Sequence, residues 1–142
     1  MSKITTFYEG DMLFESKIGE HTLKIDVPES MGGKNRGPMP PQVFIASLGS
    51  CVGALVVDYC NKVGINAEGM SVDVMFEKAA DPTRLTDVSV KVNLPKGDCA
   101  KRVPAIKRVA EHCPVHATIS TLKGIDVEIL GQDACEMPVK EE

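Results

Sequence analysis

The chain has 142 residues, 43% of them hydrophobic and 25% charged, with a formal net charge of −4. That length is one domain, able to bury roughly two-thirds of its unfolded surface without disulfides, and the composition argues against disorder. The acidic balance, the absence of Trp and an aromatic content of 4% argue against a nucleic-acid footprint or a base-stacking platform.

The first elements read as a three-stranded meander. Thr5–Tyr8 and Met12–Glu15 flank the turn signal Glu9-Gly10-Asp11. Ile18-Gly19-Glu20 makes the second turn. His21–Val27 then alternates Leu23, Ile25 and Val27 with His21, Thr22, Lys24 and Asp26, the pattern of a half-buried strand. From Glu29 to Pro41 three glycines and three prolines forbid regular structure and predict a loop long enough to carry function. Gln42–Val63 is the strongest helix, with Pro41 suited to a first helical position and Gly64 as the stop. Its apolar residues populate nearly the whole circumference, which predicts a central, buried helix.

Two alternating strands follow, Met70–Lys78 and Leu85–Leu94, joined at Asp81-Pro82-Thr83. Asp98 is the candidate N-cap of a second helix running to about His112, with Val103, Ile106, Val109 and Ala110 as its apolar stripe. Cys113-Pro114 breaks it, and Val115–Leu122 forms a third. Ile125–Leu130 is expected to be a last strand, and the tail after Gly131 to be loose. Antiparallel strands separated by helices indicate an α+β fold in a single domain spanning 1–142.

The five cysteines, at 51, 60, 99, 113 and 135, are an odd count that fits a disulfide framework poorly. The apolar stretch Val52–Val57 is too short for a membrane span, and Met1-Ser2-Lys3-Ile4 begins no apolar signal region. The expectation is a cytoplasmic chain without membrane or nucleic-acid partners, where paired thiols are catalytic or redox-sensing. Cys51 lies between Gly49 and Gly53, one helix face of small residues that implies close approach by another segment or a substrate. A small buried core thiol explains the same pattern equally well.

Cys113 precedes Pro114. As the N-cap of a helix it would meet free N–H groups and a dipole that favour a thiolate; the alternative is an incidental cysteine at a helix breaker. Cys60 lies nine residues after Cys51, roughly half a revolution away, and reads as core. Cys99 and Cys135 carry no motif and read as exposed and incidental. His112, Cys113 and His116 offer one sulfur and two nitrogens, but the intervening proline and the lack of further ligands argue against a metal site.

Three segments in combination resemble the OsmC/Ohr family of osmotically inducible and organic-hydroperoxide-resistance proteins. They are the loop Gly32-Gly33-Lys34-Asn35-Arg36-Gly37-Pro38-Met39-Pro40-Pro41, the helix segment Ala46-Ser47-Leu48-Gly49-Ser50-Cys51, and Glu111-His112-Cys113-Pro114-Val115-His116. The early Tyr8-Glu9-Gly10-Asp11 and Gly19-Glu20-His21 also fit. The resemblance implies antiparallel sheets wrapped around a long central helix in an intertwined homodimer, with active sites at the subunit interface. It implies that Cys51 and Cys113 meet. Cys51 would attack an organic hydroperoxide and become a sulfenic acid, Cys113 would condense with it, and an external dithiol would reduce the disulfide. No cofactor is implied.

Phe44, Leu48 and Leu55, on or near the Cys51 face, would suit an organic substrate. An alternative is a catalytically slow dimer of the same fold that binds a small apolar ligand in its interface pocket. The family's peroxidases hold the reactive thiolate with an Arg from the N-terminal region and a Glu at the start of the central helix. Here the Glu position carries Pro41 or Gln42, and no Arg precedes Arg36, which becomes the candidate cation.

Overall fold

A computed structural model describes residues 1–131. Strands β1 (Thr5–Tyr8), β2 (Phe14–Ile18) and β3 (His21–Ile25) form an antiparallel meander in that order. β1 keeps its expected bounds. β2 starts two residues later than its apolar pattern implies, because Gly10, Asp11 and Met12 all take positive φ to turn the chain and cannot belong to a strand. Gly19, at φ 59°, lets Ile18 pair with His21 across a two-residue turn.

β3 ends before Asp26, which is not on an outward polar face as its alternation implies. It is 1% exposed. The backbone N–H groups of Val27, Lys34 and Arg36 donate to its carboxylate at 2.8, 3.3 and 3.0 Å, and Arg36 Nε donates at 2.7 Å. The glycine- and proline-rich loop is therefore clasped onto the end of the meander rather than free. Gly33 and Gly37 pass so close to 24–27 that a Cβ on either would collide with backbone.

Helix α1 (Pro40–Val63) starts two residues earlier than expected. Pro40 and Pro41 occupy its first turn, where a missing N–H costs nothing, and Met39 N–H donates to Gln42 Oε1 at 2.8 Å. By length and composition α1 is apolar enough to cross a membrane; here one face packs on a sheet and two helices. Ile45, Leu48, Val52, Val56 and Cys60 are buried, whereas Ser47, Ser50, Ala54 and Asp58 on the other side are exposed. The expectation of an all-round buried helix thus fails: small and polar residues form a full solvent-facing stripe in the protomer.

Strands β4 (Ser71–Ala80) and β5 (Thr83–Asn93) make a long antiparallel hairpin with a bulge between Met75 and Glu77. Gly49 and Gly53 face β4: a Cβ at these positions would lie 3.3 Å from Val74 Cγ2 and 3.4 Å from Val72 Cγ2. The segment approaching this glycine pair is β4, on the side of α1 away from Cys51.

Helix α2 (Val103–Glu111) begins after Arg102, not Asp98, because the 99–102 segment is used for a turn in which Arg102 N–H reaches Cys99 O. This puts Pro104 in the first turn, where it is tolerated. Helix α3 (Pro114–Thr121) follows with Cys113 as its N-cap residue. The expected strand at Ile125–Leu130 does not form; the segment is exposed and pairs with no described residue, leaving Ile125 67% exposed. A strand needs a hydrogen-bonding neighbour, and the described residues offer none there. The tail after Gly131, with Cys135, lies outside the described residues.

The core is therefore one layer of helices (α1, α2, α3) on one face of the β4–β5 hairpin. The meander makes no substantial contact with it and is joined through the clasped loop.

Candidate active site

Cys51 sits on α1 at the edge of the core face and is partly exposed. Cys113 is fully buried in the core cluster at the start of α3, and both thiols are free. The two segments meet because α3 packs on α1.

The Cys51 thiol is pushed above the ordinary thiol range. The neighbouring Cys113 thiol is the largest cause; the backbone N–H of Val115 pulls the other way, and burial adds to the rise. Pro114 occupies the first helical position and has no N–H. The first free amide of α3 is therefore that of Val115, and it acts on the Cys51 sulfur. A donor at a helix N-terminus favours the thiolate.

Arg36 stands elsewhere. Its guanidinium is held by Asp26 and by the backbone oxygen of Asp11, to which Nη2 donates at 2.8 Å. It contributes nothing to the Cys51 shift, whose causes are Cys113, Val115 and burial. Gln42, which with Pro41 is one of the two residues that the resemblance sets at the Glu position, uses its side chain as a cap for α1. Within the protomer, then, the described residues place no charged partner on the thiol.

The three helices and β5 enclose an apolar cleft of about 710 Å³, which Cys51 itself does not line although its neighbours on α1, Leu48 and Val52, do. Phe44 and Leu48 line it, with Val52, Val90 and Ile106, while Lys107, Glu111 and His116 form a polar margin. Leu55 is separated from the other two. It lines a smaller cleft of about 370 Å³ with Tyr59 and His112. The rings of His112 and His116 are tied through Nδ1 to the backbone oxygens of Arg108 and Glu111, at 2.6 and 3.0 Å. Among the described residues no cluster of His, Cys, Asp or Glu has the arrangement of a metal site.

Cys99 departs from expectation: it is half-buried, packs on the core and lines the large cleft. The apolar spacing Leu94…Val103…Ile106 around it was the available signal. Val115 was legible only as a neighbour of Cys113, and His116 as a nitrogen of the metal set considered and set aside.

Comparison with known proteins gives a consistent answer on the fold. Residues 32–129 match the family model described as OsmC-like protein. No curated protein matches the chain. A Psychrobacter arcticus structure, proposed to be an osmotic stress induced and detoxification response protein, superimposes with a TM-score of 0.73 at 22% identity, covering 83% of this chain and 88% of that one. The Legionella pneumophila organic hydroperoxide resistance protein OsmC gives 0.63 at 18% identity, covering 85% and 90%. The organic hydroperoxide resistance protein OhrB of Bacillus subtilis gives 0.58 at 22% identity, covering 85% and 92%. The matched model spans both cysteine segments and most of the fold, and on that ground the chain belongs to the OsmC-like family.

Proposed function

We propose that the chain is a thiol peroxidase that reduces organic hydroperoxides through Cys51 and Cys113. The observation that carries this reading is the pairing of a partly exposed thiol with a fully buried one, on segments whose Leu48, Val52 and His116 line an apolar cleft. The likeness in fold to the organic hydroperoxide resistance proteins of Legionella pneumophila and Bacillus subtilis supports it.

Cys51 thiolate attacks the distal peroxide oxygen. An S–O bond forms, the O–O bond breaks, and the departing alkoxide takes a proton and leaves as alcohol. Cys113 then attacks the sulfur of the Cys51 sulfenic acid; the disulfide forms and hydroxide leaves as water with the Cys113 proton. Capture by a neighbouring thiol precedes further oxidation of the sulfenic acid. An external dithiol restores both thiols by two exchanges, and a reducing cytoplasm supplies such a reductant. No metal or organic cofactor enters. Phe44 and Leu48 hold the organic part of the substrate, with Leu55 in the neighbouring cleft.

The working unit in this reading is a homodimer. Its support is the apolar surface left uncovered in one protomer: Phe76 and Val88 on the hairpin, Ile125 and Val127 beyond α3, and a meander with no core partner of its own. Sedimentation at micromolar concentration should give twice the chain mass. Arg36 serves as the loop's anchor to Asp26, and the charge that would speed Cys51 must come to it by assembly or by rearrangement of that loop.

The test is cumene hydroperoxide turnover with a dithiol reductant, and a peptide map under non-reducing conditions. A Cys51–Cys113 disulfide and loss of turnover in Cys51→Ser are expected; parent-rate consumption by that variant refutes the assignment. The raised thiol of Cys51 favours one second reading, a slow dimer whose cleft binds a small apolar ligand. It predicts no dithiol-dependent turnover and a melting temperature raised by such a ligand.

A further inference from the structure

Two other thiols lie in the core region near the C-terminal end of α1. Cys60 is fully buried on the core face of the helix. Cys99, in the connection between β5 and α2, packs against the same core cluster. The connection is pinned on both sides of Cys99 to residues on both sides of Cys60. On one side Gly97 lies so close that a Cβ there would be 3.0 Å from Ile65 Cγ2 and 3.1 Å from the Asn66 oxygen. Ile65 N–H in turn donates to Cys60 O at 2.9 Å. On the other side Arg102 Nη1 donates to Tyr59 Oη at 3.3 Å, and Arg102 N–H closes a turn on Cys99 O at 2.8 Å. Burial pushes the Cys60 thiol up, and the neighbouring Cys99 adds to the rise. The two thiols differ in access: Cys99 lines the apolar cleft, and Cys60 is sealed behind it.

We propose that Cys60 and Cys99 form a second redox pair, oxidised to an intramolecular disulfide by a hydroperoxide admitted through the apolar cleft. The pairing stands on the packing of the 94–102 connection against Tyr59 of α1 and against Ile65 and Asn66 just beyond its end; the oxidant rests on the function proposed above. Cys99 thiolate attacks the distal peroxide oxygen, the O–O bond breaks, and the alkoxide leaves as alcohol after taking a proton. The Cys99 sulfenic acid is then attacked by Cys60; the S–S bond forms and hydroxide leaves as water with the Cys60 proton. Two thiols lose two electrons and one hydroperoxide becomes alcohol and water. The bond fastens one wall of the cleft to α1, which forms another, so oxidation cross-links the substrate cleft independently of the Cys51–Cys113 pair.

The experiment uses the full chain with Cys51→Ser and Cys113→Ala, treated with t-butyl hydroperoxide, alkylated and digested without reduction. Of the three thiols left in that chain, two should disappear, with a peptide joining Cys60 to Cys99. Adding Cys99→Ser should abolish the linked peptide and leave Cys60 free. Retention of all three thiols overturns the proposal. So does a Cys99 sulfinic acid beside a free Cys60, or a link from Cys99 to Cys135. Since Cys113 is buried, the parent chain is mapped in parallel; absence of a Cys60–Cys99 peptide there also overturns it, even if the double variant fails to fold. Failure of the peroxidase reading itself registers separately, as parent-rate hydroperoxide consumption by Cys51→Ser.

Discussion

Two glycines receive the same substitution with opposite expected outcomes, and the contrast tests the clasp that leads into α1. In Gly33→Ala the new Cβ would collide with the Val27 carbonyl oxygen and come within 2.5 Å of Asp26 Oδ1 and 2.8 Å of Val27 Cγ2. The first obstacle is backbone, so relief requires moving the loop off Asp26 and Val27, just beyond β3, and loosening the amide donors of Lys34 and Arg36 from Asp26. Overpacking costs about 1–3 kcal/mol, and a backbone obstacle places this case at about 3. In Gly53→Ala the new Cβ meets Val72 Cγ2 at 3.4 Å and Met70 Cε at 3.6 Å, ordinary contact distances. The helix interior gains about 1 kcal/mol from replacing glycine. At about 4 °C per kcal/mol for a chain of this size, Gly33→Ala should melt about 12 °C below the parent and Gly53→Ala about 4 °C above it. Urea midpoints read by circular dichroism give the same ordering independently. A Gly33→Ala chain that melts with the parent refutes the clasp. A Gly53→Ala chain that melts well below it shows β4 to lie closer to α1 than described.

Three further outcomes follow from the same geometry. Cys113→Ala removes the largest influence raising the Cys51 thiol, so iodoacetamide should label Cys51 faster near neutral pH; each pKa unit is tenfold in thiolate, and an unchanged or slower rate contradicts the pairing. Asp26 is held below its ordinary value of 3.8, first by Arg36 and also by backbone N–H donors. Its protonated form is thus favoured in the unfolded chain, its contribution to stability is full above about pH 4 and is lost as pH falls below that. In Asp26→Asn the urea midpoint should lose that part of its acid dependence, and a variant with the parent's full acid slope would show Asp26 unpaired. Leu48 is 4% exposed in the core and lines the large cleft; Leu48→Ala should cost about 2–5 kcal/mol, read as a lowered urea midpoint.

What could be read from sequence was what local patterning controls. The bounds of β1, the β4–β5 hairpin and the axis of α1 follow from alternation, turn residues and helical phase, all short-range signals. The positions of Cys51 at the core edge and Cys60 in the core follow from the same phase. The failures are places where a distant neighbour decides. Asp26 alternates like a solvent-facing residue, yet loop amides and Arg36, ten residues on, enclose it. Arg36 was the candidate cation for Cys51, but the carboxylate it meets belongs to β3's end, and pattern cannot reveal that pairing. Ile125–Leu130 alternates like a strand and pairs with none of the described residues, because strand formation depends on a neighbour's hydrogen bonds. Cys99 looked exposed because its loop has no periodicity; the contact of Gly97 with Ile65 and Asn66 is what draws it inward.

The division of labour proposed for the main pair has a physical basis in access and in the Cys-Pro-Val order. A bulky peroxide reaches a partly exposed sulfur, not one enclosed in the core, which favours Cys51 as the first nucleophile and Cys113 as the thiol that resolves it. Pro114 has no amide hydrogen, so the first available donor of α3 is Val115, and it acts on Cys51. Were residue 114 non-proline, an earlier amide would be available and would compete for a sulfur near the helix start. Pro114→Ala therefore alters the donor arrangement while keeping both thiols. If the Val115 donor supports the attacking thiolate, this variant should change the pH midpoint of Cys51 alkylation while the Cys51–Cys113 disulfide still forms. An unchanged midpoint would mean that the helix terminus holds Cys113 in place and contributes nothing to the reactivity of Cys51.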